Sequence, residues 1–286
     1  DTDWMATYSV PDYRAQVSTI AGSVGNKGSL NGTGTEANFD NPYFITSDGS
    51  NLYVADHNNH TIRKIVISSG VVTTLAGTSG VSGSNDGIGS AAKFNKPTGI
   101  ITDGTNLYVS EWNNHTIRKI NIFSGIVTTF AGTVGVSGTS NGTGTEAKFK
   151  NPLGLTTDGM NLFVADYGNH MIRKVVISSG VVTTLAGTAG VSGSTDGTGT
   201  EAKFKYPIDL VSVDHNLYVT TNHTIRKIVS SNGVVTTLAG TPGSYGSLDG
   251  NGREAKFRSP YGITTDGTNI YVAGYSNHII RKVVIS

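Results

Sequence analysis

The chain has 286 residues, 36% hydrophobic and 14% charged, with a formal net charge of +1 and no cysteine. A balance this close to neutral argues against a dedicated nucleic-acid or membrane-surface binder, both of which need a basic excess. The absent cysteines exclude disulfides and thiolate chemistry, and no apolar run of about 18 residues exists to span a bilayer. Charge falls well below the roughly 25% of an average domain, and 38 glycines make the composition that of a turn-rich all-β protein. A chain that opens at Asp1 without a methionine is expected to be a mature exported protein, extracellular or at the cell surface, its signal peptide removed.

Taken in order, residues 1–16, DTDWMATYSVPDYRAQ, belong to no repeat. Trp4, Met5, Tyr8, Val10 and Tyr13 make this arm too apolar for a solvated tail. Either it lies on its own domain, or it pairs with a second copy by strand addition and joins subunits of an extracellular filament or assembly.

From residue 17 onward one sentence is written five times, over 17–70, 71–125, 126–180, 181–233 and 234–286. Each copy reads approximately VVTTLAGT, a glycine-rich linker ending in [DN]GxG, EAKFxxP, GITTDGTNLYVAD and NHxIRKVV. Four strands are predicted per copy; in the third they are Gly154–Thr157, Asn161–Ala165, Met171–Ile177 and Val181–Ala186. Each is short, rich in β-branched or aromatic residues and bounded by turn pairs such as Asp158-Gly159. No helical periodicity is sustained, and TEAKF makes at most one turn.

Four antiparallel strands at a period of 53–55 residues mark the blade of a β-propeller. Five copies predict an all-β, five-bladed propeller of four-stranded blades over 17–286. The repeats begin on a fourth-strand phrase, VSTIAG at 17–22, and end after a third strand. Strand 17–22 is therefore expected to join the C-terminal blade, Val17–Ala21 against His278–Ile285, and latch the ring.

The pairs Asn59-His60, Asn114-His115, Asn169-His170, Asn222-His223 and Asn277-His278, each followed by x-Ile-Arg, resemble the NHL repeat. The companions NLYVAD and VVTTLAG are similar to its exported bacterial version. The resemblance implies a propeller in which the phrase runs from the second strand into the third. Some members of that family bind RNA and some are metal-dependent lyases, with histidines and carboxylates converging on the central channel. Here the innermost strands FITSD, GIITD, GLTTD, DLVSV and GITTD hold no histidine, and Asp209 alone breaks their pattern. One carboxylate without a partner is thin material for acid–base work, so neither catalytic residues nor a cofactor nor a metal site is assigned.

The repeated histidines, His60, His115, His170, His223 and His278, are expected to hold their turns through backbone hydrogen bonds, since equivalent positions of separate blades do not converge on one ion. Arg63, Arg118, Arg173, Arg226 and Arg281 alternate with an isoleucine on a strand and need acceptors, for which Asp56, Glu111 and Asp166 are placed. The fourth and fifth copies offer Thr221 and Gly274 instead. The [DN]GxGxE phrase reads as a turn capping TEAKF in preference to a calcium loop, whose dense acidic spacing it lacks. Phe39, Phe94, Phe149, Phe204 and Phe257 are expected to plug the blade interfaces.

Deviations between copies are the places to look for function. After the acidic turn position stand His57, Trp112, Tyr167 and Tyr275, while the fourth copy is two residues shorter there. Tyr43, Thr98, Leu153, Ile208 and Tyr261 enter the innermost strands on the same face. His57, Trp112, Tyr167, Tyr275, Tyr43 and Tyr261 thus form a candidate rim for a protein or carbohydrate partner, since exposed aromatic rings stack on sugars and anchor proteins. The alternative is that the rings only cover neighbouring loops.

Overall fold

The structure, a computed structural model, describes residues 17–285. The arm residues Trp4, Met5, Tyr8, Val10 and Tyr13 lie outside it. Five separate antiparallel sheets follow one another along the chain. Their innermost strands, Pro42–Ser47, Pro97–Thr102, Pro152–Thr157, Leu210–Val213 and Pro260–Thr265, are successive neighbours around the axis. The third blade's four main strands are Pro152–Thr157, Asn161–Asp166, Met171–Val176 and Val181–Ala186, within two residues of the predicted bounds.

The blades are not four-stranded. In each of the first four, the end of the glycine-rich linker adds a fifth, two-residue strand outside the VVTTLA strand, as where Gly32–Thr33 pairs with Val71–Val72. Gly34 N–H donates to Gly70 O at 2.9 Å beside it. The linker thereby covers an edge that would otherwise expose unpaired backbone groups. A single turn of 3-10 helix follows, Gly34–Glu36 in the first blade, held where Thr33 N–H donates to Glu36 Oε2 at 3.1 Å.

The fifth sheet has three strands, Pro260–Thr265, Asn269–Gly274 and Ile279–Val284, and among the described residues no strand pairs with the outer edge of the last. Segment 17–22 touches the first blade: Gly22 N–H donates to Gly34 O at 3.0 Å, as Gly77, at the end of the first blade's outer strand, does to Gly89 of the second blade. The inner strands differ between junctions. Gly99 and Gly154 let the next inner strand approach so closely that a Cβ would meet Leu153 O at 2.2 Å and Asp209 Oδ1 at 2.4 Å. The first blade instead carries Phe44, and Tyr43, Phe44 and Tyr261 stand in the junction with the fifth blade, so nothing comes within 4 Å of a Cβ on Gly262.

The core is a series of sandwiches between blades. Tyr53, Ala55 and Ile62 of the first blade meet Ile100, Leu107 and Val109 of the second, with Phe94 inserted and fully buried. Phe149, Phe204 and Phe257 repeat the insertion at the next three junctions. Among the described residues no helix is long and apolar enough to cross a membrane.

Candidate functional site

The repeated phrase proves to be scaffold. Arg63 is fully buried; its Nη1 donates to Asn38 O and Asp56 Oδ2, and its Nη2 to Leu30 O and Asn31 Oδ1, all at 2.8–2.9 Å. Its guanidinium lies over the Phe39 ring, 5.0 Å from the centroid. One cation thus ties strand, linker and plug together, and Arg118 and Arg173 do the same through Glu111 and Asp166. Arg226 and Arg281 turn to Asp196 and Asp249 of the linker. The Asn or Asp of [DN]GxG is therefore the arginine's acceptor, while the following Glu caps the turn. Burial pushes the Asp166 carboxyl up to about 6, against the pull of Arg173 and of the Asn169 amide.

The histidines link blades. His60 Nδ1 accepts from Lys96 N–H at 3.1 Å, His115 Nδ1 from Asn151 N–H at 3.2 Å and His170 Nδ1 from Tyr206 N–H at 3.3 Å, each in the following blade. All three sit at φ of 59–60°, a left-handed conformation that costs a non-glycine residue and is held here by the tight turn. Burial and a neighbouring lysine depress their pKa, which suits neutral acceptors. Among the described residues no three His, Asp or Glu gather as a metal site.

The variable aromatics, by contrast, converge. Two runs of rings border one depression of about 270 Å³ on the turn face. In the first, His57 stacks on Tyr43 at 5.0 Å, Tyr43 meets Tyr261 at 5.9 Å, and Tyr261 meets Tyr275 at 5.8 Å. In the second, Trp112 meets Tyr167 at 5.2 Å and Tyr167 stacks on Tyr206 at 4.9 Å. The hydroxyls of Tyr43 and Tyr261 are hydrogen-bonded to each other. Burial and the Tyr43 hydroxyl drive the Tyr261 phenol upward, so Tyr261 remains neutral. His57 donates from Nδ1 to Pro97 O at 3.0 Å, which fixes its ring against Tyr43 rather than toward the depression.

Five of the six rim residues predicted from the sequence, Tyr43, Trp112, Tyr167, Tyr261 and Tyr275, line the depression, with Leu153 and Ile208 below. Tyr206 escaped the sequence reading. It occupies the residue before proline, where the other copies have Asn41, Lys96, Asn151 and Ser259, all at positive φ. That departure was visible, but only the shortened fourth loop, which presents Asn222, opens space for its ring.

Fold and repeat together define the class: the chain is a five-bladed β-propeller whose repeat is similar to that of NHL repeat-containing proteins. It is 28% identical over 294 residues to human NHL repeat-containing protein 2, covering 90% of this chain and 40% of that one. It is 29% identical over 282 residues to Arabidopsis thaliana SUPPRESSOR OF QUENCHING 1, chloroplastic, covering 92% and 26%. The chain thus spans well under half the length of these curated relatives. No protein-family profile matches it. Among solved structures, an auxiliary nutrient binding protein from Bacteroides ovatus superposes with a TM-score of 0.57 at 18% identity, over 93% of this chain and 75% of that one. An inactive virginiamycin B lyase from Staphylococcus aureus, solved with quinupristin, gives 0.55 at 16%, over 92% and 72%. Identities this low speak for the fold alone.

Proposed function

We propose that this propeller is a non-catalytic binding module that engages a protein or glycan partner through its aromatic depression. The observation that carries the reading is that rings from all five blades, embedded in five near-copies of one sequence, line a single concavity. At about 270 Å³ it lies just below the roughly 300 Å³ at which small-molecule pockets begin, a size for one sugar ring or one anchoring side chain. Tyrosine and tryptophan suit both, combining an apolar face with a polar edge. Nothing in the depression supplies a general base: its polar members are tyrosines, Asn222 and Ser259.

An extracellular or cell-surface location accompanies this reading, in keeping with the nutrient-binding name of one neighbour in fold. The test of function is a glycan array and a partner pull-down with the full chain, comparing wild type with Trp112→Ala and Tyr167→Ala. Loss of the retained glycan or partner in both variants, with unchanged melting, supports the depression. Undiminished capture by both removes it.

A further inference from the structure

The junction between the fifth and first blades is a cleft of about 750 Å³. Its walls are surfaces that every other junction buries. Ile280 is 74% exposed, against 0% for Ile62, Ile117, Ile172 and Ile225 at equivalent positions, and Ile45 is 57% exposed against 4% for Ile100. Tyr43, Phe44, Tyr261 and Tyr271 contribute aromatic faces.

Asp209 borders the same cleft. It occupies the inner-strand position that is Gly99, Gly154 and Gly262 in three other blades. Where Gly154 N–H donates directly to Ile208 O at 2.9 Å, Asp209 spans the next junction with its side chain. Its Oδ1 accepts from Leu210 N–H at 2.9 Å and its Oδ2 from Ile263 N–H at 3.1 Å. Four carboxylates are buried among the described residues. Asp56, Glu111 and Asp166 each have an arginine nitrogen within 3.2 Å, whereas Asp209 has none. Burial accordingly pushes it up to about 7, offset in part by the two backbone donors.

A buried carboxylate without a countercharge, beside aromatic faces in a mainly apolar cleft, is complementary to one kind of small molecule. We propose that the cleft binds an organic ammonium ion, its charged nitrogen directed at Asp209 and the Tyr43 and Tyr261 rings, its apolar body along Ile45, Tyr271 and Ile280. Tyrosine faces attract such cations through the ring quadrupole, more strongly where water is excluded. A metal ion is a poorer match, since among the described residues no three His, Asp or Glu side chains gather there. Gly262, with free space around its missing side chain, leaves the carboxyl accessible from the cleft.

The experiment is titration of the full chain at pH 8 with benzyltrimethylammonium and, separately, with neopentylbenzene, its uncharged isostere, followed by ligand-observed NMR. Wild type is expected to bind the cation at least about tenfold more tightly than the isostere. Asp209→Asn should abolish that preference, and Gly262→Val, which fills the space before the carboxyl without touching it, should remove binding of both probes. No binding to wild type, the result if segment 17–22 closes the cleft, overturns the proposal. So do equal affinities for the two probes or a preference that survives Asp209→Asn. Binding that survives Gly262→Val places the probe in the aromatic depression and overturns it as well. If Asp209→Asn does not fold, the wild-type preference and Gly262→Val decide the matter alone.

Discussion

Tyr43 and Tyr261 meet hydroxyl to hydroxyl although 218 positions separate them in the chain. They belong to the first and fifth inner strands, so this contact bridges the junction between the first and last blades. Replacing either by phenylalanine removes one hydrogen bond and leaves the ring contacts. The expected loss is about 1 kcal/mol, read by urea denaturation, with amide exchange rising first in Pro42–Ser47 and Pro260–Thr265. Uniform exchange over all five blades would contradict this placement.

Arg173 and Arg281 should separate sharply. Arg173 is fully buried against buried Asp166, so Arg173→Ala strands a carboxylate and should cost about 3–5 kcal/mol. Arg281 pairs with an Asp249 side chain that is 94% exposed, and its alanine variant should cost about 1 kcal/mol or less. Equal losses in denaturant midpoint would show that the blades do not depend on the buried pair.

The inner-strand glycines make a second contrast. A methyl group on Gly99 would lie 2.2 Å from Leu153 O, while one on Gly262 meets nothing within 4 Å. Gly99→Ala is therefore expected to lose about 1–3 kcal/mol by overpacking, and Gly262→Ala to stay within about 0.5 kcal/mol of wild type. Thermal melts of the two variants side by side provide the check.

Asp209 should give stability a particular pH dependence. Its folded-state value of about 7 lies above the ordinary 3.8, so between those limits the native chain holds a proton that the unfolded chain has released. Stability then falls as pH rises through that window, by up to about 1.4 kcal/mol per unit from this group. Asp56, Glu111 and Asp166 are raised too and add to the slope at its acidic end. Asp209→Asn should therefore gain on wild type from pH 5 to pH 8 in denaturant midpoints. A constant difference over that range would mean the carboxyl is not proton-linked to folding.

The five-fold repeat, the all-β class, the strand positions and the aromatic rim were legible in the sequence because they depend on local rules. Turn pairs such as Asp158-Gly159 and strands of period two declare themselves within a dozen residues, and near-identical copies expose every deviation. The Arg173–Asp166 pairing was legible for the same reason, both residues lying on adjacent strands seven positions apart.

What the sequence could not decide depends on distances between blades. That the linker becomes a fifth strand, that His60 reaches Lys96 of the next blade, and that Tyr206 joins Tyr167 all follow from how adjacent sheets are set around the axis. The junction of the first and last blades is the clearest case. VSTIAG carries the right pattern for a closing strand, but whether it meets the last blade depends on that junction, where Phe44 and the two tyrosines stand in place of the close glycine contacts of the second and third blades. Local pattern settles which residues are able to form a strand; the bulk packed between distant segments settles which strand each of them meets.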